Sequence, residues 1–126
     1  MRTKAREAAY KLIFQYLFNK EEDPIFLSEL KDSGEYDESD LDYIKTVFNG
    51  VIKNFDEFNL KVSDISTFER MFKCDTAVIL LSLSEQKFCS IKKAISINEA
   101  VEIAKIYGTE KSPAFVNGIL GKLEVN

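Results

Sequence analysis

This chain of 126 residues has no histidine and no tryptophan, and only two cysteines, two prolines and five glycines. Each shortage excludes something. Without histidine the usual proton shuttle at neutral pH is missing, and so is every Ser–His or Cys–His nucleophile. Cys74 and Cys89 cannot by themselves complete a zinc site, which takes four nitrogen or sulfur ligands. Two thiols in a helical protein are expected as reduced packing groups rather than as a disulfide. Neither GxGxxG nor GxxxxGK occurs, so no glycine-rich phosphate cradle is expected. No catalytic residue, metal or cofactor is expected, and the chain does not read as an enzyme. The longest apolar run, 77–81, is five residues, far below the roughly 20 a membrane helix needs. Glu7 and Lys11 interrupt any apolar core that a signal peptide would require. A cytoplasmic protein is expected.

What remains is an apolar, phenylalanine-rich chain with long helical periodicity and few breakers. Apolar residues make up 45%, enough for one core, and an all-α fold in a single domain over 1–126 is expected. The net charge of −4 hides a sharp asymmetry. Residues 1–20 carry a local +4 through Arg2, Lys4, Arg6, Lys11 and Lys20 against Glu7, whereas 21–42 carry −9. A basic arm beside an acidic stretch suggests a localised, salt-sensitive contact with nucleic acid, or a solvated charged tail. The acids at 37–42 are expected on a solvated face.

Periodicity places a first helix over 3–18, with Thr3 as its cap and Ala5, Ala9, Leu12, Ile13, Tyr16 and Leu17 on one face. Asp23 and Pro24 open a short helix through Leu30, and 32–38, with Gly34, reads as a loop. Ser39 and Asp42 cap a helix over 40–60, in which Tyr43, Val47, Val51 and Phe55 recur every four residues. That period runs straight through Asn49-Gly50, so Gly50 is expected to let another helix come close, and Gly118 likewise. Phe68, Met71 and Phe72 form an apolar cluster before a helix over 75–88. Ser90 to Ala94 connects to two last helices. Ser96 and Glu99 read as the capping box of the first. Gly108 then supplies a left-handed stop, with Ser112 and Pro113 as cap and first residue of the second.

The string INEAVEIAK–YG–E–S–FVNGIL–KL across those two helices resembles the hallmark segment of the NusB transcription antitermination family. KAREAA at 4–9 is similar to the family's opening, YIKTVFNGV at 43–51 to its central stretch, and AVILLSLSE at 77–85 to its buried helix. The resemblance implies two packed three-helix bundles with about seven helices. It also implies binding of boxA, a single-stranded element in leader transcripts of ribosomal RNA operons, jointly with the ribosomal protein NusE. The complex would join transcribing RNA polymerase and suppress premature termination, without cofactor or bond-making. Carried over by position, Arg2, Lys4, Arg6 and Phe115 fall on the RNA face, and Phe14 and Asp75 on the protein-partner face; Lys111, standing where the family commonly has an acid, is expected to add positive charge to the RNA face. For Phe115 and Phe14 an ordinary core position is the alternative, and for Asp75 a helix cap. The RNA face is expected to be one groove between the first and last helices. Leu80, Ser84, Lys111 and Gly121 depart from common family residues. A helical adaptor or homodimer without RNA is the alternative function. The fold also resembles the first module of certain ribosomal RNA methyltransferases, for whose methyl-donor domain this chain has no room.

Overall fold

A computed structural model describes residues 2–21, 25–65 and 71–125. Among them are seven helices and no strand: α1 (Thr3–Asn19), α2 (Phe26–Asp32), α3 (Glu38–Lys53), α4 (Phe55–Val62), α5 (Lys73–Phe88), α6 (Lys93–Tyr107) and α7 (Ser112–Gly121). None is long and apolar enough to cross a membrane. The Asp23-Pro24 start expected for the second helix, and Phe68, lie outside the described residues.

Helix α5 is the centre of the molecule. Every residue from Asp75 to Gln86 is buried, around a run at 77–81 that is apolar on every side. On one side α1, α3 and α5 pack pairwise, and on the other α5, α6 and α7 do the same. The two three-helix groups therefore share α5. Ala5, Ala9, Ile13 and Leu17 of α1 are buried as the period predicts, while Leu12 and Tyr16 are half-buried. Arg6, Ala8 and Tyr10 are buried as well, a second face that the first stripe does not account for.

Several helix ends differ from expectation. Asp37, not Ser39, caps α3, accepting the Asp40 N–H at 2.8 Å. The single helix expected over 40–60 is two. Asn54 donates its side-chain amide to the Gly50 carbonyl at 2.9 Å and adopts φ −118°, which closes α3 and lets α4 leave in a new direction. Ser96 is no cap: α6 begins at Lys93, and the Ser96 hydroxyl points into the core. Gly108 is extended rather than left-handed (φ −95°, ψ −165°). It must still be glycine, because a Cβ there would lie 2.5 Å from the Ser112 side chain, whose hydroxyl accepts the Thr109 N–H. Thr3 likewise makes no cap bond, and Ser112 lies within α7.

Gly50 does sit at a close approach of α3 and α5, facing Ser84 and Phe88. Gly118 does not: it is exposed, with nothing within 4 Å of a Cβ placed on it. Of the departures from common family residues, Leu80 is fully buried. Ser84 donates to the Val47 carbonyl at 2.8 Å and so stitches α5 to α3.

Candidate functional site

The basic start of α1 divides into one buried and two accessible cations. Arg6 is 5% exposed. Its Nε and a terminal nitrogen both lie 2.7 Å from Glu85 Oε1 on α5, and its other terminal nitrogen is 3.6 Å from Glu99 on α6. Tyr43 of α3 donates its hydroxyl to the same Glu85 oxygen at 2.6 Å. Ser96 of α6 donates to Oε2, also at 2.6 Å. A buried carboxylate with this many donors is satisfied, whereas without partners its burial would be prohibitive. Burial by itself lowers the Arg6 pKa, but Tyr43, Glu85 and Glu99 outweigh it and hold the guanidinium above its ordinary value. Arg6 was expected on the RNA face. The structure makes it the buried ion-pair anchor that fastens α1 to α5 and α6.

Burial, reinforced by Glu85, pushes the Tyr43 phenol well above its ordinary 10.0, and Arg6 only partly opposes this. Above about pH 10 the unfolded chain therefore loses this proton while the folded chain keeps it. Stability is complete below that pH and falls as the pH rises, by about 1.4 kcal/mol per unit for this group. Urea titrations between pH 9 and 11 (roughly the range in which free tyrosine ionises) should show that decline, and a shallower one in Tyr43→Phe. Equal slopes would remove Tyr43 as its source.

Arg2 and Lys4 are the accessible cations. Arg2 lies over the Tyr43 ring at 4.7 Å, and Lys4 over the Tyr36 ring at 5.5 Å. Positive charge beside aromatic faces suits phosphates and unstacked bases.

The other sequence-selected residues gather elsewhere. Asp75, Lys111 and Phe115 line one cavity of about 200 Å³ with Met71, Phe72 and Thr109. Asp75 is buried in the first turn of α5, after Phe72 as the N-cap residue, and the Cys74 thiol approaches it at 3.7 Å. Phe115 is half-buried against the core. Arg6 stands at the Glu85 end of α5 and Phe115 at the Asp75 end, separated by about 15 Å of helix. Among the described residues, Arg6 and Phe115 therefore do not meet in one groove. Instead α1 packs against α3 and α5, and α7 against α5 and α6.

Phe14, half-buried, belongs to a ring ladder that runs along α1. Tyr107 stacks on Tyr10 at 4.9 Å, Tyr10 on Phe14 at 6.0 Å, and Phe14 meets Phe18 edge-on at 5.0 Å. The ladder ends in Phe18, which is 63% exposed, and Phe72, before α5, is 65% exposed; the sequence marked neither as a surface aromatic. The four-residue spacing of Tyr10, Phe14 and Phe18 was the available signal, a second stripe beside the core one. Glu85 was missed too, although a carboxylate directly after the apolar and serine-bearing stretch 77–84 marks a buried partner.

Comparison with known proteins agrees with this architecture. A family model described as the NusB family matches residues 3–124. The transcription antitermination protein NusB of Clostridium botulinum (strain Loch Maree / Type A3) is 37% identical, covering 97% of this chain and 98% of that protein. That of Thermoanaerobacter sp. (strain X514) is 40% identical, covering 95% and 87%. Among solved structures, NusB of T. maritima superposes with a TM-score of 0.84 at 31% identity, over 97% of this chain and 89% of that one. Antitermination factor NusB, solved with NusE and dsRNA, has the same fold: TM-score 0.82 at 20% identity, covering 95% and 92%. A shared α5, a hallmark pair α6–α7 and a match spanning nearly every residue leave one conclusion: the chain belongs to the NusB family.

Proposed function

We propose that this chain is a non-enzymatic RNA-binding factor of transcription antitermination, acting in the cytoplasm. Its RNA would be boxA-type single-stranded leader RNA of ribosomal RNA operons, and its partner the ribosomal protein NusE. The observation that carries this reading is the pairing of accessible cations with aromatic faces at the start of α1, Arg2 with Tyr43 and Lys4 with Tyr36, on a fold whose relatives bear the antitermination name. Arg6 holds that edge in place and does not itself contact RNA. A few nucleotides bridge the distance to Lys111 and Phe115, where the Phe115 ring supplies a stacking surface. The ladder through Phe14 to Phe18, together with Phe72 and the buried Asp75, suits a protein partner carrying apolar and basic side chains. Through that partner the complex would join transcribing RNA polymerase. The same aromatic patch would serve a homodimer in the absence of NusE.

Titration of labelled boxA-type leader RNA, with and without NusE, tests the reading. With Arg2, Lys4 and Lys111 as phosphate contacts, log affinity falls with log salt at a slope of about −2. Arg2→Ala/Lys4→Ala weakens binding about ten-fold or more at low salt and flattens that slope. Phe115→Ala costs about 1–3 kcal/mol of RNA affinity and leaves NusE capture unchanged. An affinity that ignores salt, or survives loss of both arm cations, sinks the RNA function.

A further inference from the structure

The two accessible cations of the arm are already occupied by carboxylates of the same chain. Arg2 donates to Asp40 Oδ1 and the Ser39 carbonyl, each at 3.1 Å, and to the Ser39 hydroxyl at 3.2 Å. Lys4 Nζ is 3.5 Å from Glu35 Oε2. Both acids come from the strongly acidic stretch 21–42, one in the turn after α2 and the other in the first turn of α3. Gly34, left-handed at φ +72°, makes that turn between α2 and α3, from which Glu35 and Tyr36 meet Lys4. These acids are therefore not only a solvated face. They are oxygen anions placed where phosphate oxygens would have to go.

We propose that Glu35 and Asp40 form an intramolecular clamp on the basic arm, a built-in competitor that RNA must displace. This rests on the RNA function proposed above. The physical case is one of exchange. A phosphate arriving at Lys4 or Arg2 replaces an existing ion pair instead of creating one, so the arm's charge contributes less to affinity than its count suggests. The competitor is part of the fold and its effective concentration does not dilute with the protein. Its hold is nevertheless soft: the Lys4 and Glu35 side chains are 57% and 55% exposed, and pairs that exposed are weak and screened by salt. The clamp thus selects for ligands that present several phosphates in a row, which can replace both carboxylates together. It discourages isolated phosphates and weakly charged partners. It also opens with salt, so salt weakens the clamped protein's RNA binding less steeply than that of an unclamped one.

The test compares three full-length proteins in the same RNA titration: wild type, Glu35→Gln/Asp40→Asn, and Glu29→Gln/Asp32→Asn. The last removes equal charge from the same acidic stretch, at exposed residues of α2. The clamp variant is expected to bind about three- to ten-fold tighter than the control at low salt. The difference should vanish near 0.5 M, where screening acts over roughly 4 Å. In an Arg2→Ala/Lys4→Ala background the gain should disappear, as coupled residues require. Thermal melts confirm that each variant is folded. A clamp variant no tighter than the control overturns the clamp, as does a gain that ignores salt or persists without the arm cations. Weakened binding would also overturn it, showing that the acids position the arm instead. If wild type binds and the clamp variant binds identically, the clamp alone falls. If no protein binds, the RNA function falls and the clamp with it.

Discussion

Replacing Glu85 with alanine should lower the unfolding free energy by about 3–5 kcal/mol, the largest effect of any single substitution considered for this chain. The reason is the company Glu85 keeps. It is 1% exposed and accepts from Arg6 on α1, Tyr43 on α3 and Ser96 on α6. Its removal strands a guanidinium that is itself buried, together with a phenol and a hydroxyl whose acceptor is gone. A charge left in the interior costs far more than the pair contributed in place. Melting should fall by about 10–20 °C for a chain this size. Arg6→Ala should behave alike, because it strands the carboxylate instead. Arg6→Met/Glu85→Leu, which removes both charges and keeps most of the volume, should cost much less than either single change. Calorimetry on the three variants measures this. If Glu85→Ala melts within about 2 °C of wild type, less than 1 kcal/mol on that scale, the network does not hold α1 to the rest.

Gly50→Val should be the second most damaging change, at about 3 kcal/mol. A Cβ at position 50 would collide with Ser84 Oγ and lie 2.7 and 2.9 Å from two carbons of the Phe88 ring. Ser84 cannot simply turn away, because its hydroxyl is bonded to the Val47 carbonyl. Relief therefore means moving α3 off α5, which opens space elsewhere in a close-packed core. Gly118→Ala makes the counterpart. It adds the same first carbon to an exposed helical glycine with open space around it, and should stabilise by about 0.5–1 kcal/mol through helix propensity. Urea midpoints of the two variants should move in opposite directions. If both glycines tolerate a side chain equally, the close approach of α3 and α5 is not what fixes Gly50.

The contrast between these two glycines shows how much of the molecule was legible. Both stand after asparagine, inside helices, and both were expected at close contacts. Gly50 interrupts a stripe that continues every four residues toward a buried face, whereas Gly118 lies off the Val116–Ile119–Leu120 stripe, and its exposure follows from that offset. The Asn54 break was illegible for a different reason. The apolar period passes through it without a fault, and only the side chain's bond back to Gly50 ends the helix. Ser96 shows the same limit. Its spacing to Glu99 satisfies a capping pattern, yet its hydroxyl serves Glu85 and Ser82 on another helix.

The sequence by itself determined the helical class, the order of the elements, the burial of the apolar run 77–81 in α5, and the presence of a basic start followed by an acidic stretch. Those properties are local: they follow from the periodicity of side chains along one helix and from the charges along one segment. The tertiary structure alone decided which cations are buried and which carboxylates they meet. Arg6 meets a carboxylate 79 positions away, and Arg2 one 38 away. No spacing rule links such residues. Whether a charge faces water, a partner or another part of its own chain depends on which distant atoms the packing of α1 on α3 and α5 brings within reach.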